Sequence, residues 1–169
     1  GIVLALLLEP ARLEPGQAVF VPDGVPHAYL SGLAVEVQAN SDNTLRAGLT
    51  GKHVAPGRLM RVLDFGSLAA VPVTPHEVSP GQVDYPVAGV QEFALSRVRP
   101  GEAEVTLPAG GPWSVLCVEG QVTVATGADD GETGSRLSLG PGQAGFIPAA
   151  QHPSRVGGHG VAYVVTVPS

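Results

Sequence analysis

An imidazole, a phenol and a hydroxyl recur at alternate positions early in the chain, at His27, Tyr29 and Ser31. Alternate side chains of a β-strand point to the same face, so a strand over residues 27–31 would place the three groups together. A polar face inside a small barrel is typical of a ligand cavity rather than of a core. The pattern therefore predicts one wall of a ligand-binding pocket.

A second predicted strand and a loop add charged groups to this region. A strand over residues 33–38 presents Glu36 on one of its faces, and Arg46 and Lys52 follow in a loop. Arginine binds phosphate through a planar fork and lysine binds it as a point charge. Because this acidic chain holds its one lysine here, we expect an anionic ligand beside the polar face.

The elements that must position these groups occur twice along the chain. Residues 13–22 read LEPGQAVFVP, residues 139–148 read LGPGQAGFIP, and a histidine follows each copy, at His27 and His152. Pro-Gly predicts a turn, the next residues predict a short strand, and the closing proline ends that strand at an edge. Two copies therefore predict two similar β units, each related to a barrel.

The rest of the chain also consists of short apolar runs between turns. Its 169 residues include 23 Gly and 16 Pro, and 44% are hydrophobic, a composition typical of many tight turns around a buried core. We predict an all-β fold with jelly-roll units and one short helix over Arg58–Leu63. The strands predicted for the second unit are 91–99, 103–107, 113–118, 121–126, 136–139, 143–148 and 161–167.

Composition also excludes several classes of function. The net charge is −6 and no basic stripe exists, so nucleic acid is not an expected partner. The apolar run over residues 2–8 is far shorter than the roughly 20 residues that span a bilayer, and it lacks the basic start of a signal peptide. A single cysteine, Cys117, excludes an intramolecular disulfide and fits a reducing cytoplasm. We therefore expect a cytoplasmic protein with no membrane partner.

Residues 13–65 resemble a known enzyme family. The stretch that runs from His27-Ala28-Tyr29 to Asn40-Ser41-Asp42-Asn43, and continues with RAGLT and Lys52, resembles the signature of type I phosphomannose isomerases. The segments LEPGQAVFVP and 59–65 also fit that family. The resemblance implies a pair of cupin-like jelly-roll barrels. From residue 66 onward it depends mainly on the second copy of the repeat.

The resemblance also implies a role for six residues. His27 corresponds to a zinc ligand, Arg46 to the catalytic arginine, and Lys52 to a basic residue near the substrate phosphate. The polar residues that correspond to the surroundings of the sugar are Tyr29, Glu36 and Asp42.

The activity implied by the resemblance is the interconversion of mannose 6-phosphate and fructose 6-phosphate, with one Zn²⁺ per enzyme. The reaction moves a proton between two carbons through an enediol, so it needs a base, and a cation such as Arg46 would stabilise the oxyanion. The family's other zinc ligands, a Gln-x-His pair and a Glu, belong to an earlier segment, and no Gln-x-His occurs here. A catalytic zinc site needs about three protein ligands. We therefore expect a C-terminal fragment, opening at Gly1, that binds zinc poorly and is inactive alone.

We predict three parts in this chain. Residues 1–64 would form the C-terminal half of the catalytic barrel, which makes the first unit incomplete, and 65–90 would form a connection. Residues 91–169 would form a second barrel without a metal, because 110–120 contains no histidine and His152 is isolated.

Structural roles compete with the functional ones. A lone histidine is more often structural than a ligand, an arginine in a turn is usually a solvated charge, and Glu36 could simply pair with an arginine. Cys117 and Trp113 lie in an apolar run and are predicted core residues. The alternative function is a non-catalytic, sugar-binding or regulatory cupin protein.

Overall fold

The computed structural model describes residue 3 and residues 6–41, 44–48, 50–64, 66, 70–127 and 134–168. Nearly all regular structure in these ranges is β, as predicted, and the strands pair antiparallel. The elements are β1 (Ala18–Phe20), α1 (Pro56–Val62), β2 (Val71–Val73), β3 (His76–Ser79), β4 (Gln82–Asp84), β5 (Ala94–Val98), β6 (Val105–Leu107), β7 (Trp113–Thr126), β8 (Ser135–Leu139), β9 (Ala144–Ile147) and β10 (Ser154–Thr166).

The chain forms two compact units. The first comprises Gly1–Ala34 and Asn40–Val73, and the second comprises Val35–Ala39 and Thr74–Ser169. The predicted assignment of residues 1–64 to a catalytic barrel stays a prediction. The predicted connection, 65–90, contributes β3 and β4 to the sheet of the second unit.

In the first unit, β1 pairs antiparallel with β2, from Ala18 opposite Val73 to Phe20 opposite Val71. The predicted Pro-Gly turn precedes β1, and Gly16 takes a φ of 87° there. The amide of Gln17 closes the turn on the carbonyl of Glu14, 3.0 Å away. The sequence prediction of a turn followed by a strand is therefore confirmed at this position.

The strands predicted over 27–31 and 33–38 do not form, which corrects the sequence analysis. Residues 27–38 make no β-ladder in the structure. Alternation of side chains indicates a possible strand, but the backbone stays in a strand only if a neighbour accepts its hydrogen bonds. Leu30 and Leu33 are 87% and 95% exposed.

The predicted helix exists as α1 and starts two residues earlier than expected. Pro56 opens it, which suits proline because the first amide of a helix has no intrahelical partner. The amide of Leu63 bonds the carbonyl of Leu59, and Leu63 itself has an extended backbone that ends the helix. None of its residues is buried.

The second unit is an eight-stranded antiparallel sheet built around two long strands. Its order is β3-β4-β5-β10-β7-β8, with β6 beside β10 and β9 beside β7. β7 and β10 pair along nearly their whole lengths, with a register shift between Val161 and Ala162. One half of β10 pairs with β5 and the other with β6, while the halves of β7 pair with β9 and β8. The long pair therefore passes from one layer to the other, as jelly-roll architecture requires.

The two long strands continue past the ends of the strands predicted from the sequence. Residues 113–118 and 121–126 form one strand, β7, and Gly157-Gly158 lies within β10. Gly120 keeps the strand continuous with a φ of 65°, and Gly158 with a φ of 102°, conformations that glycine adopts without steric cost.

The core of the second unit lies between the two sheet layers. The fully buried side chains include Leu107, Val115 and Cys117. Trp113 is 5% exposed, and its indole N–H donates to the carbonyl of Pro108 at 3.1 Å. Both Cys117 and Trp113 are core residues, as predicted.

Candidate functional site

His27 and Tyr29 lie against each other in the first unit. Their rings meet edge-on, with centroids 5.9 Å apart and planes at 72°. Nδ1 of His27 lies 3.2 Å from the carbonyl oxygen of Val25, so a proton on Nδ1 donates to that oxygen. A histidine fixed this way presents Nε2 as the nitrogen for a ligand. His27 is exposed and Tyr29 is 69% exposed, so this pair is open to solvent.

The two predicted cationic residues differ in burial. Arg46 is half-buried and Lys52 is exposed. Among the described residues, neither side chain forms an ion pair, and the amide of Lys52 donates to Oγ1 of Thr50 at 3.2 Å. Each cation is therefore available to an anion as far as the described part of the chain is concerned.

The two predicted carboxylates have different outcomes. Glu36 is exposed and belongs to the Val35–Ala39 segment of the second unit. Asp42 lies outside the described residues. Of the six predicted site residues, the described structure brings His27 and Tyr29 into contact, while the roles of all six stay predictions.

The described side chains do not complete a zinc site. No group of three or more His, Cys, Asp or Glu residues within the described ranges could hold a metal ion. His27 offers one nitrogen, whereas a catalytic zinc needs about three protein ligands. The chain as described therefore does not fit a zinc ion by itself.

A pocket that the sequence analysis missed lies in the first unit. It has a volume of about 300 Å³ and is lined by Leu45, Arg58, Arg61 and Val62. Both arginines come from α1, three residues apart. The sequence does indicate part of this pocket, because two arginines three residues apart lie on the same side of a predicted helix.

The histidine that follows the second copy of the repeat is held by local bonds. Nε2 of His152 lies 3.0 Å from the carbonyl oxygen of Gly111, and Nδ1 lies 3.4 Å from Oγ of Ser154. That hydroxyl donates to the carbonyl of Gln151 at 2.7 Å. The bond from Nε2–H to the carbonyl oxygen of Gly111 connects two loops of the second unit.

The second unit contains an uncharged cavity of about 140 Å³ that is partly open to solvent. No lining side chain carries a charge or titrates near neutral pH, so this cavity offers no acid–base group. The lining residues are Val124, Thr126, Ser135, Leu137, Gly145, Phe146, Ile147 and Gln151.

The chain is similar in sequence to mannose-6-phosphate isomerases. It is 38% identical to the Escherichia coli enzyme over 161 residues, which cover 95% of this chain and 39% of that protein. The resemblance to the phosphomannose isomerases is confirmed. A probable mannose-6-phosphate isomerase of Caenorhabditis elegans is 36% identical over 75% of this chain and 31% of its own length. No protein-family model matches the chain.

The fold is similar to solved phosphomannose isomerase structures as well. The apo form of the Salmonella typhimurium mannose 6-phosphate isomerase superposes with a TM-score of 0.62 at 30% sequence identity. The match covers 78% of this chain and 32% of that one. The chain therefore spans about two fifths or less of the phosphomannose isomerases it matches.

Within the described ranges, no helix has the length and apolar character that a membrane crossing requires.

Proposed function

We propose that this chain forms part of a zinc-dependent isomerase that interconverts mannose 6-phosphate and fructose 6-phosphate. The observation that supports this most is the 38% identity to the Escherichia coli mannose-6-phosphate isomerase across 95% of the chain. The similarity to the solved Salmonella typhimurium enzyme supports it at the level of the fold. Because the chain matches only part of each relative, the activity is proposed for the enzyme that contains this part.

Arg46 is the residue that we propose for catalysis. Moving a proton between C1 and C2 of the sugar builds negative charge on an oxygen of the enediol. A guanidinium beside that oxygen stabilises the charge, and it does so better when it is shielded from water. Arg46 is half-buried and, in the described part of the chain, has no carboxylate partner, which suits this role. Lys52 would hold the substrate phosphate, and Tyr29, Glu36 and Asp42 would contact the sugar.

We propose that His27 supplies one ligand to zinc. Nε2 is the nitrogen that remains for a metal when Nδ1–H bonds Val25. Since the described residues provide no second and third ligand, those would come from outside them. We therefore propose that the chain is inactive by itself.

A non-catalytic sugar-binding role is the second candidate. The absence of a group of three metal ligands among the described residues favours it. Such a protein would bind a phosphosugar without converting it, so binding and turnover separate the two candidates.

The test is a hybrid enzyme in which this chain replaces the matching segment of the Escherichia coli mannose-6-phosphate isomerase. With zinc and mannose 6-phosphate, we expect the hybrid to form fructose 6-phosphate, whereas the isolated chain forms none. A folded, zinc-loaded hybrid that binds mannose 6-phosphate without converting it would refute the catalytic proposal and favour the sugar-binding one.

A further inference from the structure

Helix α1 carries two arginines on one side, and the catalytic proposal uses neither of them. Arg58 and Arg61 are three residues apart, a spacing that puts their Cβ atoms about 5–6 Å from each other on a helix surface. Both are exposed, and both line the pocket of about 300 Å³ in the first unit. Leu45 and Val62 form the apolar part of the same pocket.

Neither arginine has an acidic partner within the described ranges. The ion pairs found there are Arg12 with Glu14 and Arg155 with Glu104. The first turn of α1 holds no acidic residue. The nearest acid that follows in sequence, Asp64, accepts a hydrogen bond from the amide of Gly66 at 2.7 Å. Two positive charges thus share one concave surface on a chain whose net charge is −6.

A phosphate group matches this arrangement. Each guanidinium presents a planar fork of N–H donors, and a tetrahedral phosphate accepts several such bonds at once. Two neighbouring forks neutralise both charges of a phosphate monoester. The side chains of Leu45 and Val62 form the apolar part of the pocket wall, beside the two guanidinium groups.

We propose that Arg58 and Arg61 form a phosphate-binding site at α1. Its ligand is a phosphate group, whether free in solution or carried by a phosphosugar. The evidence for this site comes only from helix α1 and its pocket, so the site does not depend on the proposed isomerase activity. Because the arginines are exposed, we expect a dissociation constant on the order of a millimolar.

Nuclear magnetic resonance titration of the arginine Nε–Hε signals with inorganic phosphate, at constant ionic strength, tests the proposal on the full chain. We expect saturable shifts of the Arg58 and Arg61 signals in the wild type. The double variant Arg58→Gln/Arg61→Gln lacks these two signals, so phosphate binding to it and to the wild type is compared by the backbone amide signals of α1. The variant should bind phosphate at least about fivefold more weakly. These substitutions keep the helix, because α1 buries no side chain.

The matched control is Arg99→Gln/Arg136→Gln, which removes the same charge from two exposed positions in the second unit. This variant should keep wild-type phosphate affinity. Equal weakening in the two double variants would show a general charge effect, and no weakening in the helix variant would exclude these arginines. Either result would overturn the site.

The two sources of phosphate are separated by titration with mannose 6-phosphate and with mannose. Tighter binding of mannose 6-phosphate than of inorganic phosphate would assign the site to a phosphosugar, and equal binding would assign it to free phosphate. Mannose alone should not shift the Arg58 and Arg61 signals. Shifts of the same size with mannose would contradict phosphate recognition.

Discussion

Tyr85 shows how the fold changes the chemistry of a single residue. Its ring is 6% exposed and stacks on Tyr163, with centroids 6.4 Å apart and planes at 28°. Burial raises the pKa of the Tyr85 phenol above its ordinary value of 10.0, and the neighbouring Tyr163 raises it further. Arg97 opposes this shift because its charge favours the phenolate.

Tyr85 should make the protein less stable in alkali. Since the folded state holds this proton more tightly than the unfolded chain does, the full stabilisation is present below the unfolded pKa and is lost as pH rises through the folded pKa. We expect the free energy of unfolding, measured with urea, to fall less between about pH 9 and pH 11 in Tyr85→Phe than in the wild type. Identical pH slopes in the two proteins would contradict this assignment.

The predicted site illustrates what residue types can and cannot reveal. His27 and Tyr29 lie together, as their alternate spacing suggested, although no strand holds them. The apolar pattern that predicts helix α1 assigns no role to Arg58 and Arg61. A pocket depends on which residues from elsewhere, here Leu45, complete it. Spacing along one element does not contain that information.

At the scale of elements, the long strands β7 and β10 each contain a glycine that another residue could replace only with strain. A Cβ on Gly120 would collide with the carbonyl oxygen of His159, and one on Gly158 would lie 2.6 Å from the carbonyl oxygen of Gln121. Both glycines also take a positive φ that disfavours other residues. These contacts let the two strands pair closely where the sheet passes between layers.

Gly120→Ala should therefore destabilise the second unit by at least about 2 kcal/mol, from backbone strain together with the clash. Gly101→Ala is the control, because a Cβ there meets nothing within 4 Å. We expect the control to change the free energy of unfolding by less than about 0.5 kcal/mol. Similar stabilities of the two variants in urea would show that position 120 tolerates a side chain.

The sequence predicts a strand correctly where a Pro-Gly turn lies directly before it. The prediction is wrong where the strand would need a pairing partner from a distant part of the chain. The Pro-Gly turns before β1 and β9 are encoded within a few residues, and the structure contains both strands. The predicted strands at 27–31 and 33–38 had the right alternation but found no ladder partner. Conversely, β7 and β10 continue through glycines, a residue type that is typical of turns. The hydrogen bonds between the two strands outweigh the local preference of glycine for a turn.

At the scale of the whole molecule, zinc binding by the isolated chain tests the proposed metal site. The described residues provide one candidate ligand, His27, and no group of three. We expect isothermal titration of the isolated chain with Zn²⁺ to show no stoichiometric binding at micromolar concentration. Added zinc should then leave the thermal midpoint nearly unchanged. Tight binding of one zinc ion, abolished by His27→Ala, would refute this expectation.

The catalytic role of Arg46 is the claim on which the proposed function depends most. In the hybrid enzyme, we expect Arg46→Ala to lower kcat for fructose 6-phosphate formation by about 10²–10³-fold, because the oxyanion loses its cation. Arg99→Ala removes an exposed charge from the second unit and should keep the activity of the hybrid. An Arg46→Ala hybrid that folds, binds zinc and turns over mannose 6-phosphate at the unchanged rate would contradict the account.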